Sequence, residues 1–306
     1  MDLVEIDDPV AQYAAMTRVA QAAEQAGYDS IWVYDHMHTV PTPEIETCFE
    51  AWTLTAALAR DTQTVKLGQM VTCNGYRNPA LLAKIASTVD VVSGGRLFCG
   101  LGAGWYEHEW RAYGFGFPER RDRMRAFREA CEIVVRLWTD ERASFSGEYY
   151  TIDGAINEPK GVQKPHIPLW IGGGGEQVTL KLVARLGNAC NFGGGDLDTI
   201  RHKMGVLRQH CADVGRDFET LTRSTSLNIF LLEPGDDPEA ATAAARGALS
   251  YEQFATDYMV ATADQITSHI EALAAAGMNY ILTYFPRVAY DQTMLARFAQ
   301  QVMTRF

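Results

Sequence analysis

Short runs rich in β-branched and aromatic residues alternate along this chain with segments whose apolar residues recur at helical spacing. That alternation limits the fold more than any other feature. The runs are Ser30–Tyr34 (SIWVY), Val65–Val71, Arg96–Leu101, Leu169–Ile171, Ala189–Phe192, Ser224–Leu232 and Tyr280–Tyr284. Each is followed by a helical pattern, as in Pro79–Val92 after the second run and Gln177–Leu186 after the fourth. Strands and helices in this order form parallel βα units, which either spread into an open sheet or close into a barrel. Seven such units and one more would complete a (β/α)8 TIM barrel, which leaves no exposed sheet edge.

The sequence therefore reads as a (β/α)8 barrel with a longer insertion after strand 4 and an incomplete or truncated first strand. The Asp2–Ile6 run ahead of helix Pro9–Ala26 is a poor candidate for the missing slot. The insertion begins at Glu107 with a short helical piece to Tyr113. It continues with an amphipathic helix, Glu119–Trp138, and a hairpin pairing Ala143–Phe145 with Tyr149–Ile152 around Ser146-Gly147. No break in composition divides the 306 residues, so residues 1–306 read as one domain.

Barrel chemistry gathers at the C-terminal ends of the strands. Asp35, His36, Val71, Thr72, Gly102–Trp105, Gly172–Gly175, Asn191 and Pro286 fall at such ends. Two of these places are glycine turns, in RLFCGLGAGW (Arg96–Trp105) and PLWIGGGGEQVTLKLVAR (Pro168–Arg185). Glycine lets a ligand approach the main chain, and the unpaired first amides of a helix starting near Gln177 suit a phosphate. A tight corner is the simpler reading of one such turn; two in one repeating pattern favour an anionic cofactor.

Asp35 and His36 read as a hydrogen-bonded acid/base pair, with an exposed loop histidine as the plain alternative. His36 and His38 lie two apart and open some metal sites, but the later strand ends supply no further His or carboxylate, so no metal is expected. Glu107 and Glu109 start a helix, where they either complement its dipole or contact the ligand. Trp32, Tyr34, Trp105, Tyr106, Tyr284 and Phe285 suggest an aromatic mouth for a planar or hydrophobic substrate, although barrels also use such residues for packing.

A formal net charge of −11 disfavours nucleic acid and anionic membrane as partners. The first residues lack the basic start and long apolar core of a signal peptide, and no stretch is apolar enough to span a membrane. The six cysteines, Cys48, Cys73, Cys99, Cys131, Cys190 and Cys211, are scattered without paired spacing. They read as reduced thiols of a cytoplasmic protein.

Four ordered segments, SIWVYDH (30–36), LGQMVTCNGYRNPALLAK (67–84), SGGRLFCGLGAGWYEHEWRAYG (93–114) and PLWIGGGGEQVTLKLVAR (168–185), resemble the bacterial luciferase-like flavin and deazaflavin oxidoreductases. The resemblance runs over essentially the whole chain from about Pro9. Within that superfamily the chain looks most like the branch that uses the 5-deazaflavin coenzyme F420. The resemblance implies a TIM barrel with a tricyclic ring at its C-terminal mouth. Asp35 and His36 would touch the ring or the reaction centre, and Met70-Val71 would form a cis-peptide bulge behind it, continuing into Thr72. Gly102, Ala103, Gly104 and Trp105 would line the ring, and Gly172, Gly173, Gly174 and Gly175 would take the phosphate. Glu107, Glu109 and Tyr284 are the candidates for touching substrate. The sugar-phosphate dehydrogenase branch carries a glutamate where this chain has Trp105, a departure that argues against glucose-6-phosphate.

The leading expectation is an F420-dependent oxidoreductase that transfers a hydride to or from a small organic molecule, with His36 exchanging the proton. A reduced-flavin (FMN) monooxygenase, which needs a partner flavin reductase, is the alternative within the superfamily. A non-catalytic flavin-binding barrel is the alternative outside catalysis. The resemblance also implies a homodimer.

Overall fold

A computed structural model describes residues 3–194 and 196–306. The chain runs α1 (Pro9–Gln25), β1 (Ser30–Val33), α2 (Ala51–Asp61), β2 (Lys66–Gln69), β3 (Thr72–Cys73), α3 (Pro79–Ser93) and β4 (Leu97–Gly102). The insertion follows as α4 (Glu107–Ala112), α5 (Arg120–Thr139), β5 (Ala143–Ser146) and β6 (Thr151–Ala155). Alternation resumes with β7 (Leu169–Gly172), α6 (Thr179–Leu186), β8 (Ala189–Asn191), α7 (Leu197–Asp213) and β9 (Thr222–Leu232). The chain closes with α8 (Pro238–Arg246), α9 (Tyr251–Asp257), β10 (Met259–Thr262), α10 (Ala263–Ala275), β11 (Tyr280–Tyr284) and α11 (Thr293–Gln301).

Two compact units emerge, one of Ser30–Asn191 and Gly205–Leu221 and one of Met1–Asp29, Phe192–Met204 and Thr222–Phe306. In the first, β1, β2, β4, β7 and β8 pair in parallel, in that order, with β3 also on β4. The β5–β6 hairpin is antiparallel, and Ser146 faces Thr151 across its turn. In the second, β9 pairs in parallel with β11 along Ser224–Asn228 and with β10 along Ile229–Leu232. This is the α/β fold with mostly parallel strands that the alternation predicts.

Helix boundaries follow local chemistry. Asn78 caps α3 through the Ala80 amide, Pro79 occupies the first turn, and Gly94 ends the helix at φ 68°, a left-handed conformation that glycine adopts without penalty. The core of the first unit rests on fully buried Phe127, Ile133 and Trp138 of α5 and on Leu97, Leu101, Leu169, Trp170 and Ile171 of the strands. In the second, Ile229, Leu231, Ile266, Phe298 and Val302 form one buried cluster.

Two details depart from the sequence reading and a third agrees with it. The Val65–Val71 strand is split into β2 and β3 at Met70-Val71, whose peptide bond is cis, as the resemblance implied. Strand β10 and helix α9 were not expected; β10 has only four residues and runs straight into α10 through the capping residue Thr262, leaving no turn signal between them. No strand precedes α1 among the described residues: Ile6 N donates to Leu3 O (3.0 Å), making a turn, and Asp2 lies outside the described residues.

Candidate active site

The first unit contains a cavity of about 450 Å³ at the C-terminal ends of β1, β3 and β4. Tyr34, Asp35 and His36 enter its wall directly after β1, and Met70, Val71, Thr72 and Cys73 form the wall between β2 and the turn that follows β3. Gly104, Trp105 and Tyr106 line it after β4, and Tyr76, Val40 and Pro41 complete the lining.

Val71 is fitted against glycine. A Cβ on Gly102 would lie 2.7 Å from a Val71 methyl, one on Gly172 2.8 Å, and one on Gly100 only 1.8 Å from Gln69 O. Neighbouring strands β4 and β7 therefore need bare backbone for the β2–β3 break to seat. Gly104 adopts φ 80°, and a Cβ there would meet Cys73 Sγ at 2.5 Å, so the β4 turn packs down on Cys73 and Trp110.

His36 Nδ1 lies 2.8 Å from Glu109 Oε2. Glu109 is completely buried on α4, and both of its oxygens are engaged: Oε1 accepts from the Met37 and His38 amides, and Oε2 accepts from the Tyr76 hydroxyl. Burial alone would disfavour its charge, but the hydrogen bonds from His36, Met37 and Tyr76 outweigh that penalty and pull its pKa down to about 2. An ionised Glu109 holds the proton of a neutral His36 on Nδ1 and leaves Nε2 as an acceptor for whatever occupies the pocket. Burial, together with donation to Glu109, pushes the Tyr76 hydroxyl far above its usual range, so it stays a donor.

The expected Asp35–His36 hydrogen bond is replaced by this one. Asp35 Oδ2 instead accepts from Cys73 N (2.9 Å) and Arg77 Nη1 (2.7 Å), and Oδ1 accepts from Arg77 Nη2 (2.9 Å). Arg77 also pairs with Glu50, tying the loop before α2 to the turn after β3. After β1, Asp35 turns toward Arg77 and His36 toward Glu109 of α4.

The acidic pair of α4 is likewise corrected. Glu109 is sealed behind His36 and cannot touch a ligand, while Glu107 is exposed and bound to Arg111 one turn on. Tyr284 ends β11 in the other unit, opposite Asn228. Gly172 closes β7, Gly173 has φ 109° and donates to Asn191 O (2.8 Å), and α6 begins at Thr179 rather than near Gln177. Val178, at the N-cap of α6, makes no side-chain capping bond. Arg77 and Tyr76 fall within the 67–84 segment, but nothing in their spacing marks them as site residues, because their partners lie 42 and 33 residues away.

The family model for luciferase-like monooxygenase matches residues 4–285. The chain belongs to the luciferase-like monooxygenase family. One relative in it, the F420-dependent glucose-6-phosphate dehydrogenase of Nocardia farcinica, is 29% identical over 90% of this chain and 88% of that protein. Another, the F420-dependent hydroxymycolic acid dehydrogenase of Mycobacterium tuberculosis, is 32% identical over 74% of this chain and 60% of its own length. Among solved structures, an F420-dependent secondary alcohol dehydrogenase in complex with an F420-acetone adduct superposes with a TM-score of 0.75 at 22% identity, covering 96% of this chain and 94% of that one. That likeness bears out the luciferase-like fold read from the sequence.

Proposed function

We propose that this member of the luciferase-like family is an F420-dependent oxidoreductase that moves a hydride between the deazaflavin and a small organic alcohol or carbonyl compound. The observation that carries the reading is the His36–Glu109 pair, a fixed proton acceptor in the wall of a cavity that Val71 and Gly104 also line. The names of the relatives support the choice of cofactor.

The residues present suit a tricyclic ring. The wall offers aromatic faces, the backbone at Gly104 brings no side chain into the space, and Arg77 neutralises the carboxylate that lines the cavity, Asp35. Met70, Val71, Gly102, Ala103, Gly104 and Trp105 would hold the ring, and Gly172–Gly175 with the uncapped start of α6 would hold the phosphate. The bound deazaflavin supplies a ring carbon that takes up or gives back hydride.

The chain's own part is positioning, exclusion of water and proton transfer. In the oxidative direction the carbinol C–H leaves as hydride, its O–H proton passes to His36 Nε2, and the C–O bond becomes a carbonyl; the reverse returns both. Glu109 stabilises the imidazolium formed in that step and keeps the ring in one orientation. Asp35 acts through Arg77 and Cys73 to shape the wall.

Residues 1–306 act as one catalytic domain in this reading, supported by the span of the family match. A cytoplasmic location is supported by six free cysteines, and no helix among the described residues is long and apolar enough to cross a membrane. A homodimer completes the proposal; sedimentation at micromolar concentration should give about twice the 33.9 kDa chain mass. Titration with F420 and with FMN, followed by fluorescence, tests the cofactor: saturable quenching of F420 is expected. Preference for FMN together with oxygen uptake would replace the proposal with a monooxygenase.

A further inference from the structure

The geometry points to an uncharged, apolar carbinol or ketone as the substrate, packed against Trp105, with Trp105 as the side chain that selects it. This rests on the hydride-transfer reading of the pocket and specifies what enters it. Trp105 and Tyr34 are 64% and 50% exposed, unusual for large aromatic residues, yet both line the same cavity. Their rings stand 6.1 and 6.3 Å from that of His36, so an apolar group held on them sits beside the proton acceptor. Such exposed aromatic surface at a cavity mouth gains by being covered with apolar substrate.

Four polar side chains of the wall are already used within the protein. Tyr106 OH donates to Pro41 O (2.9 Å), Tyr76 OH donates to Glu109, and Thr72 Oγ1 accepts from Trp52 Nε1 (3.1 Å). Asp35 is taken by Arg77 and Cys73 N. A polyhydroxylated sugar would bury hydroxyls without partners here. No lysine or arginine is among the described residues that line the cavity, and Arg77 just behind it is 11% exposed with its charge balanced by Asp35 and Glu50. A phosphate dianion would thus face the buried Asp35 and Glu109 carboxylates without a cation of its own. What His36 offers is one nitrogen, which accepts from a hydroxyl as the neutral ring and donates to a carbonyl oxygen as the imidazolium, and it matches a single oxygen of the substrate.

The test is calorimetric titration of acetophenone and of glucose-6-phosphate into F420-loaded protein, for the parent and for Trp105→Ala and Trp105→Phe. Turnover of 1-phenylethanol and of glucose-6-phosphate is followed in parallel. Acetophenone should bind the parent, bind Trp105→Ala about tenfold more weakly, and recover most of its affinity in Trp105→Phe. Glucose-6-phosphate should give no saturable heat, and kcat/KM for 1-phenylethanol should exceed that for glucose-6-phosphate roughly a hundredfold. Absent acetophenone binding, equal affinity in parent and Trp105→Ala, or tighter binding or faster turnover of glucose-6-phosphate would overturn the inference. Quenching by F420, measured on the same samples, separates the two levels. Failure of the parent to bind F420 counts against the proposed function, whereas normal F420 binding with the wrong substrate preference counts only against the substrate class.

Discussion

Replacing Glu109 by Gln keeps the side chain's shape while removing its charge and one acceptor oxygen. In the parent, one oxygen takes the Met37 and His38 amides and the other takes the Tyr76 hydroxyl and faces His36 Nδ1 at 2.8 Å. A glutamine that keeps its oxygen toward the two amides turns NH donors toward Tyr76 and Nδ1. The tyrosine hydroxyl can rotate to accept, but the imidazole must move its proton to Nε2, the nitrogen needed as base. Turnover of an alcohol should therefore fall by ~10²–10⁴-fold, with F420 affinity unchanged. Stability changes too, with a defined pH dependence. The Glu109 pKa is lowered from 4.5 to about 2, so its stabilising effect is complete above about pH 4.5 and is lost as pH falls toward 2. That gap corresponds to about 3 kcal/mol at neutral pH, of which about 2 kcal/mol is gone by pH 3. Urea unfolding of parent and variant should give well-separated midpoints at pH 7 whose separation shrinks to less than half by pH 3. Parental turnover in Glu109→Gln, or a stability difference that stays constant between pH 7 and pH 3, would refute the positioning role.

His36→Asn should lower turnover by ~10²–10⁴-fold while F420 still quenches normally; parental turnover at every pH would make His36 a packing residue. Gly174→Asp places a carboxylate at the proposed phosphate turn and should weaken F420 binding through like-charge repulsion, and tight binding by the variant would locate the phosphate elsewhere. Arg77→Met leaves Asp35 buried without its cation and should cost ~3–5 kcal/mol in chemical unfolding at pH 7, a loss relieved by adding Asp35→Asn; equal stability of single and double variants would show that the pair does not act as a unit.

The order of strands and helices, the two glycine turns and the family could be read from the chain because each is written in contiguous residues. Period, turn chemistry and motif spacing are local properties, and SIWVYDH or GLGAGW carries them whole. The placement of His36 and Asp35 at a strand end followed from the same local pattern. Their partners did not. Glu109 lies 73 residues from His36 and Arg77 lies 42 residues from Asp35, and only the side-by-side packing of β1, β3 and the β4–α4 turn brings them together. Helical spacing put Glu107 and Glu109 in the first turn of α4 but did not say which would be sealed inside; packing of α4 on Tyr76 and Cys73 decided that Glu109 is buried and Glu107 is solvated. Strand β10 was likewise invisible, since four residues without a turn signal become a strand only where Ile229–Leu232 of β9 offers them backbone partners. Local chemistry thus fixed which elements form and where reactive residues emerge, while the charge balance and proton pathway of the site came from contacts that exist only once distant segments are packed.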